Sequence, residues 1–368
     1  MLGNTFGRAF RLTSSGEAFG TALVGIVDGV PAGFPLTEKD IQGDLDRRKP
    51  GQSPIATPRK ESDRVRILSG TMGGFTTGAP IGLVIDNEWA TPERIAAYRD
   101  EMDIIKPGHA TYTYFAKFGP HRDWVADGRA NGRETAMRVA AGAIAKRLLA
   151  EWDIRIVAFT RALAGITTPE LSLEKILAGA DTPPVRCPDP ATAQRMLDRT
   201  LEAKARGESL GGIVEVIAHN VPVGWGEPVF DKLDANLARA LMSIGSVKGV
   251  EIGAGFRSAS MTGSENNDVP YLDSGTVRFR TNHAGGILGG ISTGEDIVLR
   301  MAVKPTPTIG IEQETLDMVK KTPATFRCKT ATDPTIVPRM IPIAEAMVAL
   351  VLIDHAMLAK SQSHRKEG

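Results

Sequence analysis

Short apolar or alternating runs, each bounded by Gly, Pro or Asp, recur along the chain. Residues 22–27, 65–68, 81–85 and 213–217 are of this kind and predict strands. The clearest helical period covers residues 133–151. Ala136, Val139, Ala140, Ala143, Ile144 and Leu148 fall on one of its faces. Asn131 precedes it with Glu134 three positions on, the spacing of a capping box. Residues 343–360 are apolar almost all round and predict a buried helix, and shorter helical runs begin at Glu38 and Lys232. Residues 167–206, with Pro183-Pro184 and Pro188-Asp189-Pro190, read as a surface excursion. Residues 361–368 read as a frayed polar tail.

Two stretches echo each other. Val27-Asp28-Gly29-Val30-Pro31-Ala32-Gly33-Phe34-Pro35 leads into the helical run at Glu38, and His219-Asn220-Val221-Pro222-Val223-Gly224-Trp225-Gly226 leads into the one at Lys232. Later in each half, Gly73-Gly74-Phe75-Thr76-Thr77-Gly78 resembles Gly289-Gly290-Ile291-Ser292-Thr293-Gly294. The simplest reading is a single domain over residues 1–360, built from related halves at about 1–150 and 207–360. The alternative is chance similarity among Gly-rich turns. Strands and helices do not alternate steadily, so a doubly wound sheet is not expected and the class is α+β. No Gly-x-Gly-x-x-Gly follows a strand and no P-loop motif occurs.

Charge and cysteine content narrow the function. The chain has 368 residues, with 44 Lys+Arg against 43 Asp+Glu and a formal charge of +1. That balance carries no footprint of a nucleic-acid binder or a polybasic membrane arm. Cys187 and Cys328 have no Cys-x-x-Cys partner, which disfavours a disulfide scaffold or thiolate zinc site and points to a reducing compartment. No basic n-region opens the chain, and no run approaches ~20 uninterrupted apolar residues. The expected class is a soluble cytoplasmic protein without a membrane partner. Its 39 glycines are about 11% of the chain against an average of ~7%. Such enrichment suits close backbone approach to a phosphate or cofactor.

Six histidines occur, none at metal-ligand spacing, so no metal is expected. His109, in the turn Lys106-Pro107-Gly108-His109-Ala110, is the strongest candidate for chemistry, with a hydrogen-bonded turn residue as the plain alternative. His283 stands among residues that suit a backbone anion nest. His355 reads as a satisfied core residue, and His364 lies in the tail. Arg129 and Arg133 flank the start of the best helix, an anion-binding arrangement. Arg47-Arg48-Lys49 is either a second such site or a solvated helix end. Lys304-Pro305-Thr306-Pro307-Thr308 offers a cation and two hydroxyls, to a phosphate or to an ordinary loop. These features describe an enzyme with Gly-rich anion sites, without naming its reaction.

Taken together, the motifs resemble the chorismate synthase family over nearly the whole chain. The resemblance rests on Gly3-Asn4-Thr5-Phe6-Gly7, Asp44-Leu45-Asp46-Arg47-Arg48, Pro107-Gly108-His109-Ala110 and Arg133-Glu134-Thr135-Ala136. It continues through Gly226-Glu227-Pro228-Val229-Phe230-Asp231, Val247-Lys248-Gly249-Val250-Glu251, Asn282-His283-Ala284-Gly285-Gly286, Lys304-Pro305-Thr306 and Ile343-Ala344-Glu345-Ala346-Met347. It implies a sandwich of antiparallel sheets flanked by helices, assembled as a homotetramer. It also implies an anti-1,4-elimination of phosphate from 5-enolpyruvylshikimate 3-phosphate to give chorismate. The family requires reduced FMN without net redox change; here an external source would supply it.

The resemblance assigns roles residue by residue. His109 matches the histidine beside the flavin ring, and Asp333 the aspartate that helps the flavin N5 act as a base. Arg129, Asn131, Gly245, Ser246, Gly289, Lys304, Pro305, Thr306, Pro307 and Thr308 fall at flavin-contacting positions. Arg48, Lys106, Arg133 and Phe19 fall on the substrate side, where the chain departs from the family. Gly16-Glu17-Ala18-Phe19-Gly20 stands for Gly-Glu-Ser-His-Gly, so Phe19 replaces the acid that serves the departing phosphate. Arg129-Ala130-Asn131-Gly132-Arg133 stands for Arg-Ser-Ser-Ala-Arg, and Ala331 takes the place of an arginine. Lys106 replaces another arginine, and Pro54 a basic residue. Losing a general acid costs ~10²–10⁴ in rate. The expectation is therefore a phospho-lyase re-aimed at another cyclic phosphate, such as a carbasugar or cyclitol phosphate. The alternatives are an authentic chorismate synthase and an inactive flavin-binding paralogue.

Overall fold

The computed structural model describes residues 3–57, 59–328 and 333–362. Its main elements are two five-stranded antiparallel sheets. The first has the spatial order Thr5–Phe6, Arg11–Ser15, Ala22–Asp28, Ile81–Asp86, Val65–Ile67. The second has the order Ile166–Thr167, Arg155–Leu163, Gly212–His219, Ile297–Val303, Val247–Ile252. The class is α+β.

The halves share one succession of elements. In the first, the central strand Ala22–Asp28 leads to helix Glu38–Arg48, the edge strand Val65–Ile67, a hairpin (Thr71–Met72 with Phe75–Thr76) and the inner strand Ile81–Asp86. In the second, Gly212–His219 leads to helix Leu233–Met242, Val247–Ile252, a hairpin (Ile287–Leu288 with Ile291–Ser292) and Ile297–Val303. Hydrogen bonds repeat as well. Thr76 Oγ1 accepts the Phe34 N–H at 3.0 Å and donates to the Pro31 carbonyl at 2.5 Å. Ser292 Oγ accepts the Trp225 N–H at 2.9 Å and donates to the Pro222 carbonyl at 2.5 Å. The two turns thus share one hydrogen-bond pattern.

Alternation decides which face of each strand is buried. Leu23 and Val27 point inward from the central strand of the first sheet, while Val24 and Ile26 point out. Ile297, Leu299, Met301 and Val303 do the same for the second sheet. The inner faces receive two helices, Thr135–Leu149 on the first sheet and Val337–Gln362 on the second, so a helical layer lies between the sheets. These helices cross in direct contact: a Cβ at Gly142 would come within 2.5 Å of the Ala346 Cα.

The C-terminal helix is long and apolar enough to cross a membrane, yet 89% of its apolar window is buried inside the protein. Pro342 within it cannot donate to the preceding turn. The Pro338 carbonyl instead accepts from Arg186 Nη1 at 2.7 Å.

Three local expectations change. The 133–151 run is an α-helix only over Thr135–Leu149, with short 3-10 turns at both ends. Asn131 caps the first of these turns by accepting the Arg133 N–H at 3.1 Å. Glu134 does not close a capping box, since its carboxylate accepts from Arg138 Nε at 3.0 Å. The excursion at 167–206 contains helices Leu173–Gly179 and Pro190–Ala205, and Val185, Cys187 and Met196 join the main core.

Candidate active site

Helix Glu38–Arg48 opens with a reciprocal Thr37–Asp40 capping box and delivers Arg48 into the interior at its last turn. Arg48 is 1% exposed, and its Nη2 lies 2.7 Å from Asp63 Oδ2. The other Asp63 oxygen accepts from Arg133 Nη1, and Arg133 Nε donates to Asn87 Oδ1 at 2.7 Å. Burial pushes the Asp63 carboxyl up, but the charges of Arg48 and Arg133 outweigh it and hold it below the usual range. Burial also lowers Arg48, helped by the nearby Arg339 and Arg133 guanidiniums and opposed by Asp63. Among the described residues the buried Arg48 Nε has no partner.

Phe19 borders this cationic cluster. The Arg59 guanidinium stands 5.4 Å from its ring centre and donates to the Ala18 carbonyl at 3.2 Å. Tyr98 meets Phe19 edge-on at 5.2 Å. The ammonium of Lys106, a buried residue, lies 5.2 Å from the far partner in this set, the Tyr98 ring. Phe19 and Lys106 therefore share Tyr98 as a neighbour.

His109 sits just before helix Thr111–Phe118, on a turn in which Gly108 has φ +70°. Its Nδ1 lies 2.6 Å from Asp127 Oδ2, and Thr111 Oγ1 donates to the same oxygen at 3.2 Å. Burial raises the Asp127 carboxyl, but its hydrogen bond and attraction to His109, together with Lys106 and Thr111, hold it below the ordinary range. The Lys304 loop packs on this turn. Lys304 Nζ donates to the Gly108 carbonyl at 2.5 Å, and a Cβ on Gly108 would come within 3.2 Å of Pro307. The Lys304 N–H donates to the Ser246 carbonyl at 3.0 Å, and Ser209 Oγ donates to the Thr306 carbonyl at 2.7 Å. Burial and the charge of Lys248 lower the Lys304 amine.

Asp333 is clamped: Oδ1 accepts the Thr57 N–H at 2.6 Å and Oδ2 accepts from Arg339 Nη1 at 2.8 Å. The structure thus joins His109, Lys304, Pro307 and Ser246 in one contact group, and Arg48 with Arg133 in another. Arg339, which holds Asp333, is close enough to affect Arg48.

Other candidates stand differently. Arg129 is spent on the first sheet, donating to the Gly16 and Ser14 carbonyls at 3.2 Å. Asn131 serves as a cap. Pro305 packs over Gly211, and Thr308 continues the same half-buried loop. Gly245 is exposed beside Ser246, which has φ +74°. Gly289 is exposed at the tip of the second hairpin with open space around it, apart from the His109–Lys304 contacts. The nest around His283 is filled from within, because Asp268 accepts the His283 and Ala284 N–H groups at 2.7 and 2.8 Å. His355 Nε2 meets Asn236 Nδ2 at 3.2 Å, while among the described residues its buried Nδ1 has no partner. Arg47 is neither solvated nor an anion site, since it pairs with Glu345, Asp181 and Asp44. Ala331 and His364 lie outside the described residues. Sequence reasoning missed Glu61, Asp63, Tyr98, Asp127 and Arg339. Only the spacing Glu61-Ser62-Asp63 hints at paired acids.

The family model described as chorismate synthase matches residues 10–357. The chain belongs to the chorismate synthase family. It is 52% identical to a chorismate synthase of Methanosarcina mazei, over 97% of both chains. It is 48% identical to one of Acetivibrio thermocellus, over 98% of this chain and 96% of the relative. It is 50% identical to one of Desulfovibrio desulfuricans, over 97% and 98%. A crystal structure of chorismate synthase superposes with a TM-score of 0.75 at 32% identity, covering 98% of this chain and 95% of the other. At such identity, members of the chorismate synthase family that keep that name offer no support for a re-aimed substrate, and they favour the ordinary family reaction.

Proposed function

We propose that the chain is a carbon–oxygen lyase that eliminates phosphate from 5-enolpyruvylshikimate 3-phosphate to give chorismate, using reduced FMN. The observation that carries this reading is the convergence of the His109 turn and the Lys304 loop, together with a buried Arg48–Asp63–Arg133 group. The first offers a place for the cofactor and the second offers positive charge for a phosphorylated, carboxylate-bearing ring.

The residues fit FMN. Thr306 Oγ1 is buried without a partner among the described residues, and a Cβ at Gly108 would crowd Pro307. Lys304, Thr306 and Thr308, with the backbone at Gly108 and Ser246, would hold it. Reduced FMN, when bound, supplies the electron density that eases departure of an allylic phosphate. His109 presents its outer ring nitrogen for proton exchange, and Asp333 holds a carboxylate fixed by Thr57 and Arg339. Arg48 and Arg133 are immobilised by Asp63, so binding an anion there costs little side-chain entropy.

We also infer a homotetramer in the cytoplasm, with an external source of reduced FMN. Assembly is supported by the hairpin Pro270–Asp273 with Thr276–Phe279, exposed along nearly its whole length, Leu272 by 74%. A lone two-stranded hairpin is only marginally stable.

One observation favours a second reading. Phe19 fills the position of the family's acid with an aromatic ring under Arg59, which suits a less polar cyclic phosphate. Anaerobic phosphate release with reduced FMN separates the two. Turnover of 5-enolpyruvylshikimate 3-phosphate near that of an ordinary chorismate synthase supports the first. Flavin binding with no release of phosphate from it overturns the first and moves the search to other cyclic phosphates.

A further inference from the structure

Ala126 and Asp127 run through two successive left-handed conformations, with φ of 49° and 57°, and Gly128 follows with φ of 52°. Non-glycine residues adopt this region at a cost of order 1–3 kcal/mol each, and it persists only where the surroundings enforce it. Here it buries a carboxylate, 3% exposed, against His109. Two neighbours compete for the same ring nitrogen. Asp127 Oδ2 lies 2.6 Å from His109 Nδ1, and the Ala110 N–H lies 2.9 Å from it. Two acceptors cannot stand 2.6 Å apart without a proton between them, so Nδ1 carries the proton and donates it to Asp127. The Ala110 N–H is then left facing a protonated nitrogen.

We propose that Asp127 is a positioning residue that locks His109 in the Nδ1–H tautomer, leaving Nε2 as the proton-accepting atom presented to the bound molecules. What that atom does in turnover rests on the reaction proposed above; the tautomer does not. Without Asp127 the competing Ala110 N–H would donate to Nδ1 and move the ring proton to Nε2. His109 would then offer a donor where the lyase reading needs an exchangeable acceptor.

The test uses full-length protein labelled with ¹⁵N in its histidine rings and free of ligand. The His109 signals are identified by their loss in His109→Gln. In the unsubstituted protein, above the pH at which the ring is neutral, Nδ1 should be the protonated nitrogen. Asp127→Gly, which suits a left-handed backbone and so folds, should move the proton to Nε2. Asp127→Asn, whose side-chain carbonyl can still accept from Nδ1, should keep it on Nδ1. An Nε2–H tautomer in the unsubstituted protein, or the same tautomer in Asp127→Gly, overturns the proposal. In turnover, Asp127→Gly should lower kcat by about 10²-fold with KM nearly unchanged, the scale of a lost general acid–base contribution, and Asp127→Asn should recover part of it. If no variant and no unsubstituted protein releases phosphate, the reaction assignment fails while the tautomer result still stands or falls on its own.

Discussion

Asp63 and Arg48 are buried against each other, and Asp63 gives its second oxygen to Arg133. One carboxylate therefore balances two interior guanidiniums, one from a helix end 15 residues before Asp63 and one from a turn 70 residues after it along the chain. Removing one partner of a buried ion pair costs about 3–5 kcal/mol, because the remaining charge is left uncompensated. Asp63→Asn should lose stability on that scale in urea denaturation, whereas the exposed pair of Arg66 with Asp86 should matter by less than about 1 kcal/mol. A loss below 1 kcal/mol in Asp63→Asn would mean that Asn87 and Glu61 carry the arginines by themselves.

A second buried acid sets the response to pH. Glu345 lies between Arg47 Nη1 at 2.6 Å and Lys146 Nζ at 3.3 Å and accepts the Ala158 N–H at 3.2 Å. Burial opposes its ionisation, but Lys146, Arg47 and that N–H together lower its pKa to about 2 from an ordinary 4.5. A group whose folded pKa is depressed stabilises the protein fully above its unfolded pKa, and that stability is lost as pH falls through the folded value. The stake is roughly 3 kcal/mol at neutral pH. Stability should hold from neutral pH to about 4.5 and then fall steeply towards pH 2. Glu345→Gln should flatten much of that acid limb and lower the neutral plateau. An unchanged acid limb would assign it to Asp63 and the other depressed carboxyls instead.

The crossing of the two inner helices leaves no space for a methyl group at Gly142. An added Cβ would meet the Ala346 Cβ and Cα inside contact distance, and backbone rather than a flexible side-chain end lies opposite. Gly142→Ala should therefore destabilise by about 1–3 kcal/mol through overpacking, despite alanine's better helix propensity. A gain in the urea midpoint would show that the helices separate without penalty.

What could be read from the sequence follows the range of the forces involved. The strand at 22–28 was legible from its inward alternation of Leu23 and Val27, and those at 81–86 and 212–219 from short, continuously apolar runs, both of which are local patterns. The similarity of the two turns was legible because Thr76 and Ser292 make the same hydrogen bonds within short Gly-rich motifs. The 167–206 segment was misjudged because proline and charge conceal Val185, Cys187 and Met196, which tertiary packing buries. Among the candidate site residues, a turn motif and the family resemblance single out His109 and the Lys304 loop, which the fold brings into contact. Asp63 and Asp127 were not singled out, since each gains its meaning from arginines or a histidine brought to it by folding. The spending of Arg129 on backbone carbonyls was equally invisible.

Phe19 gives the sharpest test of how the chain manages its chemistry. Its ring is half-buried between Arg59 and Tyr98, and it carries no exchangeable proton. Lys106, on the other side of Tyr98, keeps positive charge close by. If the proposed elimination is limited by protonation of the leaving group, Phe19→His should raise phosphate release well above the unsubstituted rate. A positioned acid is worth ~10²–10⁴, and Arg59 above an imidazole would disfavour its charged form, so a gain of about 10-fold is the conservative expectation. The gain should appear in kcat and should shrink as pH rises and the imidazole loses its proton. Thermal stability should change little, because the site is only partly buried. A Phe19→His protein that folds, binds flavin and is no faster at any pH would show that protonation at this position does not limit the reaction, leaving the Arg59–Phe19–Tyr98 stack as a determinant of which ring is bound.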